Sequence, residues 1–340
     1  MAKLERDGQP MLRDAQSLRL RAAWLYYVGG YTQKDIADRL GLARTTVIKL
    51  LDEALKRSEV QIWIAEGGAE LTDLSLRLED RLGLDEAIVV PDGGDGADET
   101  AKAVGAALGA FLSKTIADGM AVGVGWGRTL TASLATFRPP RRENVKVISL
   151  MGGVVEGALT NPLEFTWRLA SPLGAECFLF PAPLLVDSAE TRNRLMTRCG
   201  LDRLERLASS LDLAVLSVGD IGPAATSLSK GLLSAAQLQE LYEAGCVSDT
   251  LCTFLDAEGK SVGHPLNDRV MSISLDTIAT ARHIVIATGG AARAEAILSA
   301  RNRVGCNTLV TDEQAARRLL ELTEHSSLPP LRGKVARSAG

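Results

Sequence analysis

The chain has 340 residues, with 38 lysines and arginines against 42 aspartates and glutamates, which gives a net charge of −4 with histidine neutral. This length predicts two domains, and the acidic balance excludes nucleic-acid binding through the whole surface. The first 60 residues nevertheless carry 11 basic and 8 acidic side chains, while the remainder carries 27 and 34. A mildly basic head on an acidic body indicates that only the head approaches phosphate.

The cysteines, the histidines and the apolar runs argue against a metalloprotein, a membrane-spanning protein and a secreted protein. The five cysteines and three histidines are dispersed without metal-ligand spacing, which predicts buried reduced thiols and neither a metal nor another cofactor. No apolar run is long enough to span a bilayer, and residues 1–16 lack the apolar core of a signal peptide. We therefore expect a cytoplasmic protein without membrane contact, whose residues 1–16 form a disordered tail.

Residues 17–65 are predicted to form a helix-turn-helix DNA-binding domain. A first helix over 18–28 ends at Gly29-Gly30. The following stretch, residues 33–51, holds apolar residues at helical spacing on both sides of Gly41-Leu42. Glycine supplies the left-handed conformation that ends a helix, and Thr32 is well placed as the N-cap of that helix.

The second helix of the pair is predicted to begin near Ala43 and to present polar and basic side chains outward. A recognition helix enters the major groove by its N-terminal end, where arginine can pair with guanine and threonine can contact a phosphate or a thymine methyl. The alternative is an ordinary helical hairpin with a solvated polar face. We favour operator DNA because cap, turn, buried pattern and leading edge agree. The candidate DNA contacts are Thr32, Gln33, Arg44, Thr45, Thr46 and Lys49.

Residues 66–84 are predicted to be a linker and a connecting helix. The alternating residues 60–65 before them could form a short wing strand or lead into the body, and Glu66-Gly67-Gly68 is the expected hinge. Leucines spaced helically over residues 71–82 fit either a connecting helix or a dimer contact. We favour the connecting helix because the stretch is too short for a sustained coiled coil.

Residues 85–325 alternate short β-branched runs with amphipathic stretches, which predicts a doubly wound, largely parallel α/β domain. The candidate strands are 87–91, 120–124, 145–150, 177–180, 213–218, 283–287 and 307–310. The candidate helices are 98–115, 161–173, 190–210, 234–244 and 292–303. Residues 326–340, which are polar and basic, are expected to be a disordered tail.

Ligands of open parallel sheets gather at the carboxyl ends of the strands, where this sequence repeatedly places glycine. The four turns concerned are Gly123-Val-Gly-Trp-Gly-Arg-Thr-Leu130, Met151-Gly-Gly-Val154, Val218-Gly-Asp-Ile-Gly222 and Thr288-Gly-Gly290. Each could be only a tight strand-to-helix turn, but four together favour a ligand crevice. None matches a dinucleotide or ATP fingerprint. Arg128, Arg269 and Arg293 are the cations best placed for a phosphate or carboxylate.

With these motifs the chain resembles the SorC-type sugar-binding transcriptional regulators of bacteria over about residues 17–322. The resemblance rests on the head, on the turn from Val122, on Val247-Ser-Asp-Thr with Phe254-Leu-Asp-Ala-Glu-Gly, on Leu266-Asn-Asp-Arg-Val, and on Ile286-Ala-Thr-Gly-Gly running to Leu309-Val-Thr-Asp-Glu-Gln-Ala. It implies a body like the sugar-phosphate isomerase/deaminase fold that senses an effector without turnover. It also implies homodimers or homotetramers on palindromic double-stranded operators, and a sugar, polyol or sugar-phosphate effector.

Two positions depart from the family's pattern. Members commonly have lysine where Arg128 and Arg293 stand, and in some members the first lysine forms a Schiff base with the sugar aldehyde. Arginine is no amine nucleophile at neutral pH, but it binds oxyanions bidentately, so we expect noncovalent recognition of a phosphate or polyol. The candidate effector contacts are Gly125, Trp126, Gly127, Arg128, Thr129, Asn161, Asp249, Asn267, Arg269, Gly290 and Arg293.

The alternative function is a sugar-phosphate isomerase or deaminase that carries a DNA-binding head. Such an enzyme needs a general base beside the sugar, for which Asp220 and Asp249 are the candidates. The sequence has no histidine near either turn and has arginine at the nucleophile-like position. These residues favour a regulator that is not an enzyme.

Overall fold

The computed structural model of the protein describes residues 15–57, 59–60, 68–94, 96–155, 161–222 and 232–324. The chain divides into two compact units, residues 1–66 (the head) and 67–340 (the body). The expected wing strand, the hinge and the two tails lie wholly or largely outside the described residues. None of the helices in the described ranges is long and apolar enough to cross a lipid bilayer.

In the described part of the head, residues 15–57 and 59–60, three helices surround a small core. They are α1 Ala15–Tyr27, α2 Gln33–Leu40 and α3 Arg44–Lys56. Each contributes buried apolar residues to one cluster, among them Ala22 from α1, Ile36 from α2, and Val47 and Leu51 from α3. Leu42, in the turn between α2 and α3, packs against this cluster. The helices therefore have the arrangement predicted for a helix-turn-helix head.

Parallel pairing organises the body. Its main sheet holds β1 Glu86–Val90, β2 Ala121–Val124, β3 Lys146–Ser149, β4 Glu176–Phe178, β5 Leu213–Leu216, β9 Ile284–Ala287 and β10 Thr308–Asp312. Their order is β1-β10-β9-β5-β2-β3-β4, and all six pairings are parallel. A small antiparallel sheet holds β6 Val218–Gly219, β7 Ser248–Thr250 and β8 Thr253–Leu255.

Helices of the body alternate with the strands. They are α4 Gly68–Leu82, α5 Ala97–Thr115, α6 Arg128–Ser133, α7 Pro162–Leu173, α8 Ala189–Arg198, α9 Asp202–Ala208, α10 Ala235–Glu243, α11 Leu275–Ile278, α12 Ala294–Val304 and α13 Glu313–Thr323. Two 3₁₀ turns span Pro265–Asp268 and Ala291–Arg293.

Both faces of the main sheet are covered. Along β5, Leu213 and Val215 belong to one apolar cluster, which includes side chains of α5 and α7. Ala214 and Leu216, which point the other way, belong to a second cluster with side chains of α9 and α11. A parallel strand that is buried on both faces reads as an unbroken apolar run, as β5 does. The doubly wound, largely parallel α/β body is thereby confirmed.

Two predicted elements differ in extent from those observed, and two observed strands were not predicted. The single helix expected over 190–210 divides into α8 and α9, because the chain turns at Gly200 with φ of +76°. The strand expected over 213–218 ends at Leu216, and Val218 pairs instead with Thr250 in the small sheet. Strands β7 and β8 were not predicted, because each has only three residues.

Helix α4, expected as a connecting helix, packs as part of the body. Its Leu74, Leu78 and Leu82 are at most 2% exposed. They share a cluster with apolar side chains of β1, β10, α12 and α13. The leucine spacing suggested a connecting helix or a dimer contact. In the structure, these leucines are buried in the core of the body of the same chain.

This packing predicts unequal effects of two leucine substitutions in α4. Leu78→Ala should lower the free energy of unfolding of the body by about 2–5 kcal/mol, since it removes a fully buried side chain. Leu76→Ala, at a position 56% exposed, should change it by less than about 0.5 kcal/mol. Urea unfolding of the whole chain measures both. Equal effects would mean that α4 does not belong to the body's core.

Candidate functional site

The turn between α2 and α3 is fixed by a cap at each end of α2. Thr32 and Asp35 form a capping box, in which the Asp35 N–H donates to Thr32 Oγ1 and the Thr32 N–H donates to Asp35 Oδ2, both at 3.2 Å. The hydrogen bonds from Thr32 lower the pKa of Asp35. At the other end, Gly41 takes the left-handed conformation with φ of 66° and ψ of 38°. These caps set the direction in which α3 leaves the turn.

The leading turn of α3 is exposed and carries polar and basic groups. Arg44, Thr45, Thr46 and Lys49 are all exposed, whereas Val47 between them is fully buried. Gln33, at the start of α2, is half-buried. An exposed N-terminal turn with arginine and threonine is the geometry that reads base edges in the major groove.

A shallow groove joins the N-terminal ends of α2 and α3. Its lining is Tyr26, Gly30, Tyr31, Thr32, Gln33, Lys34 and Arg44. Arg39 lies over the Tyr31 ring, with its guanidinium carbon 5.2 Å from the ring centroid, and donates to the Tyr31 hydroxyl at 3.1 Å. Sequence reasoning placed Thr32, Gln33 and Arg44 at this surface but missed Tyr26, Tyr31 and Lys34. In the sequence, these three residues could be recognised only as two aromatic residues and a basic residue near the N-cap Thr32.

In the body, an open crevice lies at the carboxyl ends of β2, β5 and β9. Its lining is Ala97, Ala101, Trp126, Gly127, Arg128, Thr129, Met151, Ser217, Val218, Gly219, Asp220, Asp249, Leu251, Cys252, Thr288 and Arg293. Close approach of the backbone shapes its wall, because a Cβ at Gly127 would lie 2.9 Å from the Ser217 side chain. The strand ends therefore meet where the glycine turns predicted a ligand.

Both arginines of the crevice are paired with carboxylates. Arg128 Nη1 lies 2.9 Å from Asp98 Oδ1, and Arg293 Nε lies 3.6 Å from Asp220 Oδ1. Arg293 Nη1 also donates to the Gly289 carbonyl at 2.6 Å. Burial lowers the pKa of the Arg293 guanidinium, an effect that the Asp220 charge opposes. An anion that approached either guanidinium would therefore meet a carboxylate that is already beside it.

Asp249 lies on the small antiparallel sheet beside Asp220. Its Oδ1 accepts the Cys252 N–H at 2.8 Å, across a turn in which Leu251 and Cys252 both have left-handed φ values of 53° and 58°. Such a two-residue hairpin turn normally uses glycine or asparagine, so this one is strained. Burial raises the pKa of Asp249 to about 7; the Cys252 N–H opposes this rise, and the Asp220 charge adds to it.

Two buried polar atoms of the crevice residues lack hydrogen-bond partners. Among the described residues, neither the indole N–H of Trp126 nor Oδ1 of Asp220 makes a hydrogen bond. For Asp220 Oδ1, the 3.6 Å separation from Arg293 is an ion pair without a hydrogen bond. A buried polar atom without a partner is destabilising by about 1–3 kcal/mol, which a ligand can recover.

The crevice brings together six of the eleven candidate effector residues. They are Trp126, Gly127, Arg128, Thr129, Asp249 and Arg293. The lining also includes residues that sequence reasoning missed, among them Ser217, Leu251, Cys252 and Thr288. The hairpin gave no turn signal because neither of its turn residues is glycine or asparagine. Asp220, considered only as a catalytic base, is part of the lining as well.

The five other candidates lie outside this lining. The Gly125 N–H donates to the Val215 carbonyl at 2.9 Å, and the Gly290 N–H donates to Asp312 Oδ1 at 2.9 Å. Both glycines therefore form the turns that carry lining residues, and they are not part of the lining themselves.

The three remaining candidates hold loops in place with their polar groups. Asn161 caps α7 and donates to the Val154 carbonyl at 2.9 Å. Asn267 makes three hydrogen bonds to the backbones of Phe254 and Val262. Arg269 Nε donates to the Val186 carbonyl at 2.8 Å. Polar groups of all three side chains, which suggested ligand binding, are therefore hydrogen-bonded to nearby backbone.

The raised pKa of Asp249 predicts a pH-dependent loss of stability. A carboxyl whose pKa is higher in the folded state binds more protons there, so stability falls as the pH rises from about 4 to about 7. Each pKa unit corresponds to about 1.4 kcal/mol. Asp249→Asn, which keeps an acceptor for Cys252, should gain melting temperature over the wild type between pH 5 and pH 8. A pH-independent difference would contradict the assignment.

Comparison with known proteins identifies the family. The family described as "Putative sugar-binding domain" matches residues 68–321. The erythritol catabolism regulatory protein EryD of Brucella abortus is 29% identical over 306 residues, which cover 89% of this chain and 96% of EryD. The transcriptional regulator LsrR of Klebsiella pneumoniae is 31% identical over 313 residues, which cover 90% and 94%.

A solved structure extends the match across the head. The full-length sorbitol operon regulator SorC of Klebsiella pneumoniae is 26% identical, with a TM-score of 0.67 over 89% of this chain and 98% of SorC. The similarity therefore covers residues of the head as well as the body. The chain belongs to the SorC-type family of bacterial sugar-binding transcriptional regulators.

Proposed function

We propose that this regulator binds operator DNA through the leading turn of α3 and the groove beside it. We further propose that a sugar, polyol or sugar phosphate, bound noncovalently in the crevice, controls that binding. The single observation that carries the DNA half is the exposure of Arg44, Thr45, Thr46 and Lys49 on one capped, well-packed helix. In the effector half, the main support is a crevice lined by charged and apolar groups at the strand ends.

The head offers two kinds of contact. Arg44 and Thr46 on α3 would meet base edges, because the N-terminal turn of a recognition helix lies deepest in the major groove. Lys34 and Tyr31, in the groove at the start of α2, would meet phosphate oxygens. The first pair would give sequence preference and the second would give affinity that falls with salt.

Noncovalent binding follows from the residues available in the crevice. Within the described part of the chain, the lining has no lysine that could form a Schiff base with an aldehyde. Arg128, at the position where family members commonly have lysine, has a guanidinium in place of an amine nucleophile and is paired with Asp98. The effector would therefore bind by hydrogen bonds and apolar contact.

We also infer that binding occurs without turnover. Asp249 Oδ1 already accepts the Cys252 N–H, and Asp220 faces Arg293. Among the described lining residues there is no histidine to move a proton between sugar atoms. We therefore assign both carboxylates to ligand binding.

Arginine at the leading turn should dominate operator affinity. Arg44→Ala should weaken binding by about 1–3 kcal/mol if the side chain is bidentate to guanine, and should relax the preference for that base. Arg77→Ala, an equal loss of charge at an exposed site on α4, is the matched control and should leave affinity unchanged. Fluorescence anisotropy on a duplex selected from random sequence by the wild type measures both. Equal affinities of wild type and Arg44→Ala would refute the DNA assignment.

Assembly into homodimers or homotetramers on a palindrome is part of the proposal. One small head contacts too few base pairs for a specific site, so two heads should occupy two half-sites related by a twofold axis. Sedimentation of the complex with the selected duplex should give two or four chains per duplex. A stable monomer, both free and on DNA, would exclude this assembly.

A further inference from the structure

We propose that the crevice takes an uncharged polyhydroxy ligand, an alditol or unphosphorylated sugar, held between the Trp126 N–H and the Asp220 carboxylate. This inference rests on the proposed function and narrows its effector from three chemical classes to two, because it excludes the sugar phosphates. Three observations carry it: the pairing of the cations, the acidity of the adjoining helix end, and the two unpartnered polar atoms.

Charges in the crevice are already balanced. Arg128 is paired with Asp98 at 2.9 Å, and Arg293 is paired with Asp220 at 3.6 Å. Asp249 lies beside Asp220, so an entering phosphate would meet two carboxyl groups along with the two paired arginines. A phosphate dianion would compete with the carboxylate that each arginine already contacts and would be repelled by Asp220 and Asp249, whereas a neutral ligand would leave both ion pairs intact.

The long helix that borders the crevice offers no free positive end. Ala97 and Ala101, in the first turns of α5, belong to the lining. The first turn of α5 also carries Asp98 and Glu99, whose carboxylates offset the positive end of the helix dipole. The feature that most often binds phosphate at a strand-to-helix crevice is therefore neutralised in this chain.

The two unpartnered atoms match a hydroxyl ligand. The indole N–H of Trp126 is a donor, and Oδ1 of Asp220 is an acceptor. A hydroxyl group both donates and accepts, so adjacent hydroxyls of one polyol can satisfy both atoms. The phosphate group of an ester only accepts at its dianionic oxygens, so that group would give Asp220 no donor and would add repulsion. The side chains thus select hydroxyl groups over phosphate.

Calorimetric titration of the full chain tests this inference. The probes are the four-, five- and six-carbon alditols, the unphosphorylated aldoses of the same lengths, and the monophosphate ester of each. We expect at least one alditol to bind, and its phosphate ester to bind at least tenfold more weakly. Trp126→Phe, which removes the N–H and keeps an aromatic ring, should weaken alditol binding about tenfold, the loss of one buried hydrogen bond. Trp167→Phe, at a position 61% exposed on α7, is the matched control and should bind like the wild type.

Asp220→Asn provides a second variant in case Trp126→Phe does not fold. It should also weaken alditol binding. Tighter binding of a phosphate ester than of its parent alditol would overturn the inference. So would an unchanged alditol affinity in a folded Trp126→Phe or Asp220→Asn variant. If phosphate esters alone bind and Arg293→Ala abolishes that binding, the inference fails while the proposed function stands. If no probe of either class binds, both fail.

Discussion

The parallel pairing of the main sheet is the constraint on which the rest of the body depends. Strand β5 lies at its centre and is apolar on both faces, so helices must cover both sides and every connection must cross from one end of the sheet to the other. All carboxyl ends then lie at one edge. The turns after β2, β5 and β9 meet there, which brings residues as distant in sequence as Trp126 and Arg293 into one crevice.

Within that crevice, geometry is held by paired charges and by a strained turn. The ion pair between Arg293 and Asp220 fixes one wall, and the bond from the Cys252 N–H to Asp249 holds the other. Left-handed backbone at Leu251 and Cys252 is unfavourable, and it persists because the flanking strands β7 and β8 and the Asp249 carboxylate specify it. A ligand that contacts Asp220 or Asp249 would therefore contact a carboxylate that already holds Arg293 or the Cys252 N–H in place.

Much of this architecture could be predicted from the sequence, because periodicity and glycine turns are local signals. The head followed from Thr32, Gly41 and the buried spacing around them, and the main strands followed from their β-branched runs. The antiparallel hairpin could not be predicted, since its strands are three residues long and its turn has no glycine.

Individual site residues were harder to predict than the fold. Asn267 and Arg269 have the chemistry of ligand contacts, but their polar groups are hydrogen-bonded to the backbones of neighbouring loops. Conversely, the partner of Arg128 is Asp98, 30 residues away, and a pairing at that distance in sequence leaves no local pattern. Whether an arginine is available to an anion depends on such partners. For that reason the sequence left phosphate and polyol open, while the paired charges favour the polyol.

The central claim is that occupancy of the crevice and binding of DNA are coupled. Coupling is reciprocal, so a ligand that changes operator affinity by some factor must have its own affinity changed by the same factor when the operator is bound. The most direct measurement is the alditol's dissociation constant with and without the selected duplex, together with the duplex's dissociation constant with and without the alditol. The account predicts two equal factors, each of about 5-fold or more. An alditol that binds with the same affinity in the presence and absence of DNA would contradict it.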